Sequence, residues 1–96
     1  MTTLNLLDGD ARIARSVRAV SIEIDNEAMI LDAETGQVTH LNKIGSAIWA
    51  LLEDPVSFDQ LCDRLTARFE VDRAACAADV DAFIDSVRGR GLVTVS

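Results

Sequence analysis

The chain of 96 residues has one histidine, two cysteines, five glycines and no long apolar run, and each scarcity removes a class of function. General acid–base and nucleophilic catalysis need at least two cooperating groups within hydrogen-bond reach. His40 stands in an alternating stretch with no serine or cysteine that the sequence sets beside it, so no catalytic group and no enzyme is expected. Cys62 and Cys76 lack metal-pair spacing and fall on apolar helix faces, which makes them small buried hydrophobes rather than metal ligands or a disulfide. The glycines are scattered, and neither GxGxxG nor GxxxxGK occurs, so no phosphate cradle and no cofactor is expected. No apolar run approaches the roughly 18 residues of a membrane span. The opening MTTLNLLDGDARIARSVR also lacks the basic-then-apolar order of a secretion signal, so the expected location is cytoplasmic and away from membranes.

Basic residues are scarce as well: 9 against 16 acidic ones give a net charge of −7. Nucleic-acid binding draws most of its affinity from neutralising phosphates, so an acidic body argues against DNA or RNA and favours a peptide or protein ligand. The length allows one domain with one small core and no roomy enzyme pocket.

What the sequence does have is a compact join at residues 37–52, QVTHLNKIGSAIWALL. Residues 37–41 alternate polar and apolar as a half-buried strand does, and Ile44, Ala47, Ile48, Leu51 and Leu52 then follow helical spacing. Asn42, at the switch, predicts an N-cap. Upstream, Val20, Ile22 and Ile24 alternate with Ser21, Glu23 and Asp25, predicting a strand with the apolar row inward. Asp25, Asn26 and Glu27 form a turn, residues 28–33 a central strand, and Glu34, Thr35 and Gly36 a second hairpin. This meander leaves the strand at 37–41 with a free edge, a row of unpaired backbone groups open to a partner. Residues 1–16 show no sustained period and are expected to be flexible or loosely docked.

Three helices follow. The first runs over residues 43–53 and stops before Pro55. The second starts at a Ser57/Gln60 capping box with Phe58, Leu61, Cys62, Leu65 and Phe69 as its stripe. The third has Asp72 as its N-cap and Cys76, Val80, Phe83, Ile84 and Val87 facing the core, and Gly89 or Gly91 ends it. Asp79, Ser86 and Arg90 lie beside Phe83, a mixed margin that suits a groove wall. Trp49 is expected to be packed, and Leu92 to seal the core from a short final strand. The fold class is α+β, winged-helix-like, a three-stranded antiparallel meander followed by three α-helices.

The ordered set HLNKIGSAIWALLE, SFDQLCDRLTARFEVD and DVDAFIDSVRGRGLV resembles the PqqD-like proteins, the recognition elements that hold precursor peptides of ribosomally synthesised, modified peptides. Its second hairpin, LDAETGQVTHLN, is most similar to the stand-alone leader-peptide-binding proteins of lasso-peptide biosynthesis. It departs from the pyrroloquinoline-quinone chaperone at Asp32, Ala33 and Glu34. The resemblance implies that a precursor leader adds as a strand and lies between the third strand and helix three. Peptide-binding residues would then be Gln37, Val38, Thr39, His40, Leu41, Cys76, Asp79, Phe83, Ser86 and Arg90. Residues 17–96 would form the recognition domain, as a monomer or an edge-paired dimer, with a cysteine-protease leader peptidase and a cyclase as partners. The alternatives are a chaperone of quinone synthesis or a winged-helix DNA binder. For the latter, helix three offers only Arg73, Arg88 and Arg90 against Asp79, Asp81 and Asp85.

Overall fold

A computed structural model describes residues 12–95. In chain order the elements are β1 (Arg12–Arg15), β2 (Ala19–Ile24), β3 (Glu27–Asp32), β4 (Val38–His40), α1 (Lys43–Leu51), β5 (Val56–Ser57), α2 (Phe58–Arg68), α3 (Arg73–Gly89) and β6 (Val93–Val95). They form two antiparallel sheets, β2-β3-β4 and β5-β1-β6, with the helices packed between and beside them. The α+β, winged-helix-like class read from the sequence holds: the meander is there, and three helices follow it.

Local chemistry sets the boundaries. Asp25 and Asn26 both take left-handed backbone (φ 53° and 67°), as a two-residue hairpin loop requires, and this closes β2 onto β3. Gly36 (φ 78°) turns β3 into β4. The Asp32 carboxylate anchors that second turn, accepting from the Glu34 and Thr35 N–H groups and from the Arg18 guanidinium at 2.7 and 3.0 Å. Chiefly through that guanidinium, the carboxyl is held far below the usual carboxylate range. Asn42, Ser57 and Asp72 cap the three helices, Ser57 and Gln60 reciprocally. At the end of α3 the Leu92 N–H returns to the Val87 carbonyl and the Gly91 N–H to the Arg88 carbonyl, a Schellman ending that needs the positive φ of Gly91.

One core runs through the molecule, built from Ile13, Ile30, Ile48, Trp49, Leu52, Leu61, Val80, Ile84 and Leu92 among others. Trp49 is fully buried as expected, with the Arg15 guanidinium 4.6 Å over its ring and donating to its carbonyl at 2.6 Å. Leu92 seals the core as expected. Cys62 and Cys76 are buried thiols, and burial pushes Cys62 up to about 11 and Cys76 in the same direction, so both pack as apolar groups.

Three expectations need correction. Residues 12–15, expected to be loose, are a strand whose Ile13 is 1% exposed, zipped between β5 and β6. The rest of the segment expected to be flexible, residues 1–11, lies outside the described residues. The apolar row of β2 faces outward: Val20, Ile22 and Ile24 are 50–57% exposed, and Ser21 turns to the helices instead. Alternation gives the period of a strand but not which side is covered. On α1 the buried side is Gly45, Ser46, Ala47, Ile48, Trp49 and Leu52, while Ile44 is 42% exposed. The small residues Gly45 and Ser46 let the helix approach its neighbours, which a search for large apolar residues does not reveal.

Candidate functional site

The strand expected third in the meander is β4, and its only partner among the described residues is β3. Its hydrogen-bond phase follows from two bonds, Leu41 N–H to Ala28 carbonyl at 2.9 Å and Asp32 N–H to Gln37 carbonyl at 2.9 Å. In an antiparallel pair, alternate residues of a strand direct both backbone groups to the partner. Thr39, the Gln37 carbonyl and the Leu41 N–H therefore face β3, while the Gln37 N–H turns back to Thr35 Oγ1, and Val38 and His40 point both N–H and C=O away from the sheet.

The last rung of this ladder is unusual. The Ala28 N–H donates to Ser46 Oγ at 2.7 Å, and the Ser46 hydroxyl donates to the Leu41 carbonyl at 3.3 Å. A side chain of α1 thus stands where the two strands would otherwise bond directly. The edge strand is fixed to the helix that follows it.

Across from this edge stands α3, and the space between the two is the cleft in which a peptide was expected. At one end the Arg90 guanidinium donates to Thr39 Oγ1 at 2.7 Å. Further along, Asn42, Ile44, Gly45, Ile48, Asp79 and Phe83 line an open hollow of about 290 Å³. It adjoins a second, apolar hollow formed by Ile44, Ile48, Leu65, Phe69, Val71, Cys76, Asp79 and Val80. The two share Ile44, Ile48 and Asp79 and make one trough between α1 and α3. Gly45 brings the walls together: a Cβ there would sit 3.2 Å from the Phe83 ring and 3.3 Å from Asn42 Oδ1.

The structure sorts the expected residues by what they can offer. Thr39 and Leu41 share the inner face of the sheet with Ile30, and Thr39 reaches α3. Val38 and His40 offer backbone only on the cleft side, because their side chains share the outer face with Leu31 and Met29. Gln37 is exposed, its carbonyl taken by Asp32. Asp79 and the half-buried Phe83 line the trough, Cys76 is 5% exposed in its floor, and Ser86 and Arg90 are exposed on α3. Reading the sequence missed the share of α1, namely Asn42, Ile44, Gly45 and Ile48. One signal was available: a glycine in the first turn of a helix costs about 1 kcal/mol relative to alanine and marks a close approach.

The outer face of the β2-β3-β4 sheet is itself apolar. Val20, Ile22 and Ile24 on β2, Leu31 on β3 and Val38 on β4 are all more than 40% exposed. The register sets Val20 beside Leu31 and Leu31 beside Val38, so they form a continuous patch that reaches the free edge.

The trough, the edge strand and both flanking helices fall within a span that known proteins share. The profile of Coenzyme PQQ synthesis protein D (PqqD) matches residues 27–93. Among solved structures the chain is similar to TbiB1 in complex with the TbiA(beta) leader peptide, with 31% identity over 83% of this chain and 93% of that one and a TM-score of 0.79. It shares its fold with a lasso peptide synthetase B1 complexed with the leader peptide, at 23% identity over 85% of this chain and 96% of that one, with a TM-score of 0.75. No curated protein matches it by sequence. With the profile running from the first residue of β3 to the first residue of β6, and taking in the strand-to-helix join at residues 37–52, this chain belongs to the PqqD family.

Proposed function

We propose that the protein is a non-catalytic adaptor that binds the leader segment of a ribosomally synthesised precursor peptide and delivers it to the modifying enzymes of lasso-peptide or related biosynthesis. The observation that carries this reading is the outward pair of backbone groups on Val38 and His40, standing beside an apolar trough. A peptide added as a strand gains main-chain hydrogen bonds from such an edge and places alternate side chains into the neighbouring wall. The wall in this reading is Gln37, Thr39 and Leu41 on one side and Asp79, Phe83, Ser86 and Arg90 on the other, with Cys76 below. The similarity to a structure that holds a leader peptide supports it.

The adaptor in this reading breaks no bond. It raises the local concentration of the core segment at a leader peptidase of the cysteine-protease class and at a cyclase. The outer sheet patch supports an enzyme partner, since contiguous exposed apolar surface that reaches the peptide edge suits a second protein. The test is fluorescence anisotropy with the labelled leader of the precursor encoded beside this protein's gene. Saturable binding that His40→Pro abolishes without unfolding the protein is expected. A folded wild type that does not bind this leader, or a His40→Pro variant that binds it equally well, overturns the reading.

A further inference from the structure

The α3 wall carries two charges of opposite sign at its two ends. Asp79, Phe83, Ser86 and Arg90 follow one another at helical spacing along one face of α3. Arg90 stands at the β4 end, bonded to Thr39 Oγ1, and Asp79 at the α1 end, lining both hollows with Ile44 and Ile48. Among the described residues neither belongs to an ion pair; the pairs that form use Arg18 with Asp32 and Glu34, and Arg73 with Asp59 and Asp63. Lys43, the single lysine of the chain, in the first turn of α1, lines a different hollow with Glu23, Asn26 and Arg68. Nor does the Arg90–Thr39 bond use up the guanidinium, which has five N–H donors.

The spacing converts to peptide length. From residue 79 to residue 90 a helix rises roughly 16 Å at 1.5 Å per residue. An extended strand laid along α3 covers that in about five residues at 3.3 Å each. Only alternate side chains of an added strand face the wall, so two side chains that both face α3 are four or six positions apart.

We propose that the cleft reads charge order: it selects a leader with an Asp or Glu opposite Arg90 and, four or six residues further toward α1, a Lys or Arg opposite Asp79. This rests on the strand-addition reading and adds to it the chemical class and register of the peptide. Opposite charges at the two ends also fix the direction of the strand. A peptide laid in the reverse sense sets like charges together at both ends, and charges at an interface rim act mainly on register and partner choice in this way.

Peptide display tests this with a random dodecapeptide library selected on the immobilised full chain, on its His40→Pro variant and on an Arg90→Glu/Asp79→Lys double variant. Exposed ion pairs are individually weak, so the two together are expected to enrich one charge order over its reverse by roughly tenfold. Wild-type pools should show that order at spacing four or six, and the double variant should invert it. Arg90→Gln and Asp79→Asn each should erase the preference at its own end alone, which covers the case of a double variant that folds poorly. Enrichment that depends on the β4 edge but shows no charge order, or an order that the double variant leaves uninverted, overturns this inference and leaves strand addition standing. Pools no different from those of His40→Pro overturn both.

Discussion

Replacing Ser46 by alanine removes one oxygen atom from the protein, and the structure gives that atom a large effect. Ser46 is 2% exposed, and its hydroxyl relays the last rung between β3 and β4, accepting from Ala28 N–H at 2.7 Å and donating to the Leu41 carbonyl at 3.3 Å. Ala28 is 4% exposed and Leu41 9%, so water does not reach the groups left behind. A buried donor stripped of its acceptor costs about 1–3 kcal/mol, and the stranded carbonyl adds toward the upper end. Alanine returns roughly 0.5 kcal/mol through its better helix propensity. The expected loss is about 2 kcal/mol, which for a domain of this size lowers Tm by roughly 8–16 °C. Calorimetry reads the shift, and amide exchange at Ala28 gives a second readout because its protection should fall most. A Tm within about 2 °C of wild type, with Ala28 still protected, would refute the argument that this hydroxyl completes the ladder.

Proline at position 40 removes an N–H that faces outward, whereas proline at 39 removes one bonded to β3. His40→Pro is therefore expected to lose leader binding at near-native stability, and Thr39→Pro to lower the denaturation midpoint. Asp32 has a carboxyl held below its unfolded value by Arg18, so its contribution to stability is complete above about pH 4–5 and is lost as pH falls from there toward the folded-state value. Asp32→Asn should flatten the acid limb of a stability–pH curve between pH 5 and pH 2, and an unchanged limb would assign the acid sensitivity elsewhere. Trp49, packed under Arg15 and away from the trough, should change its fluorescence strongly on unfolding and little on titration with leader; a large shift with the peptide would place the ligand elsewhere.

Local signals were legible in the sequence wherever one residue decides one conformation. Asn42, Ser57 and Asp72 could be read as caps because the orphan N–H groups of a helix start accept only a few side chains, and Asp25-Asn26 as a turn because few residues tolerate φ > 0. The free edge of β4 was legible because the chain leaves directly for a helix. The β1 strand was not, since four residues with a single core side chain carry no period and its partners stand at positions 56–57 and 93–95. The outward face of β2 was hidden for another reason: a row of Val and Ile reads the same whether a helix or a partner protein covers it. The contribution of α1 to the trough was hidden behind small residues, because Gly45 acts by what it lacks, letting Phe83 approach the backbone.

The strand pair β1–β6 has a consequence for how the molecule assembles. Ile13 pairs with Val95, more than eighty positions away, whereas β2, β3, β4 and α1 find their partners among near neighbours. The entropy of closing a loop grows only slowly with its length, but pairings across long separations form late. The edge that would receive a peptide can thus be in place while the chain is still open. The opposite wall waits longer, because α3 runs straight into β6 and that strand is held by β1, with the Ser16 N–H on the Leu92 carbonyl. One lip of the cleft is set by its own sequence neighbourhood, and the other by the meeting of residues more than eighty positions apart.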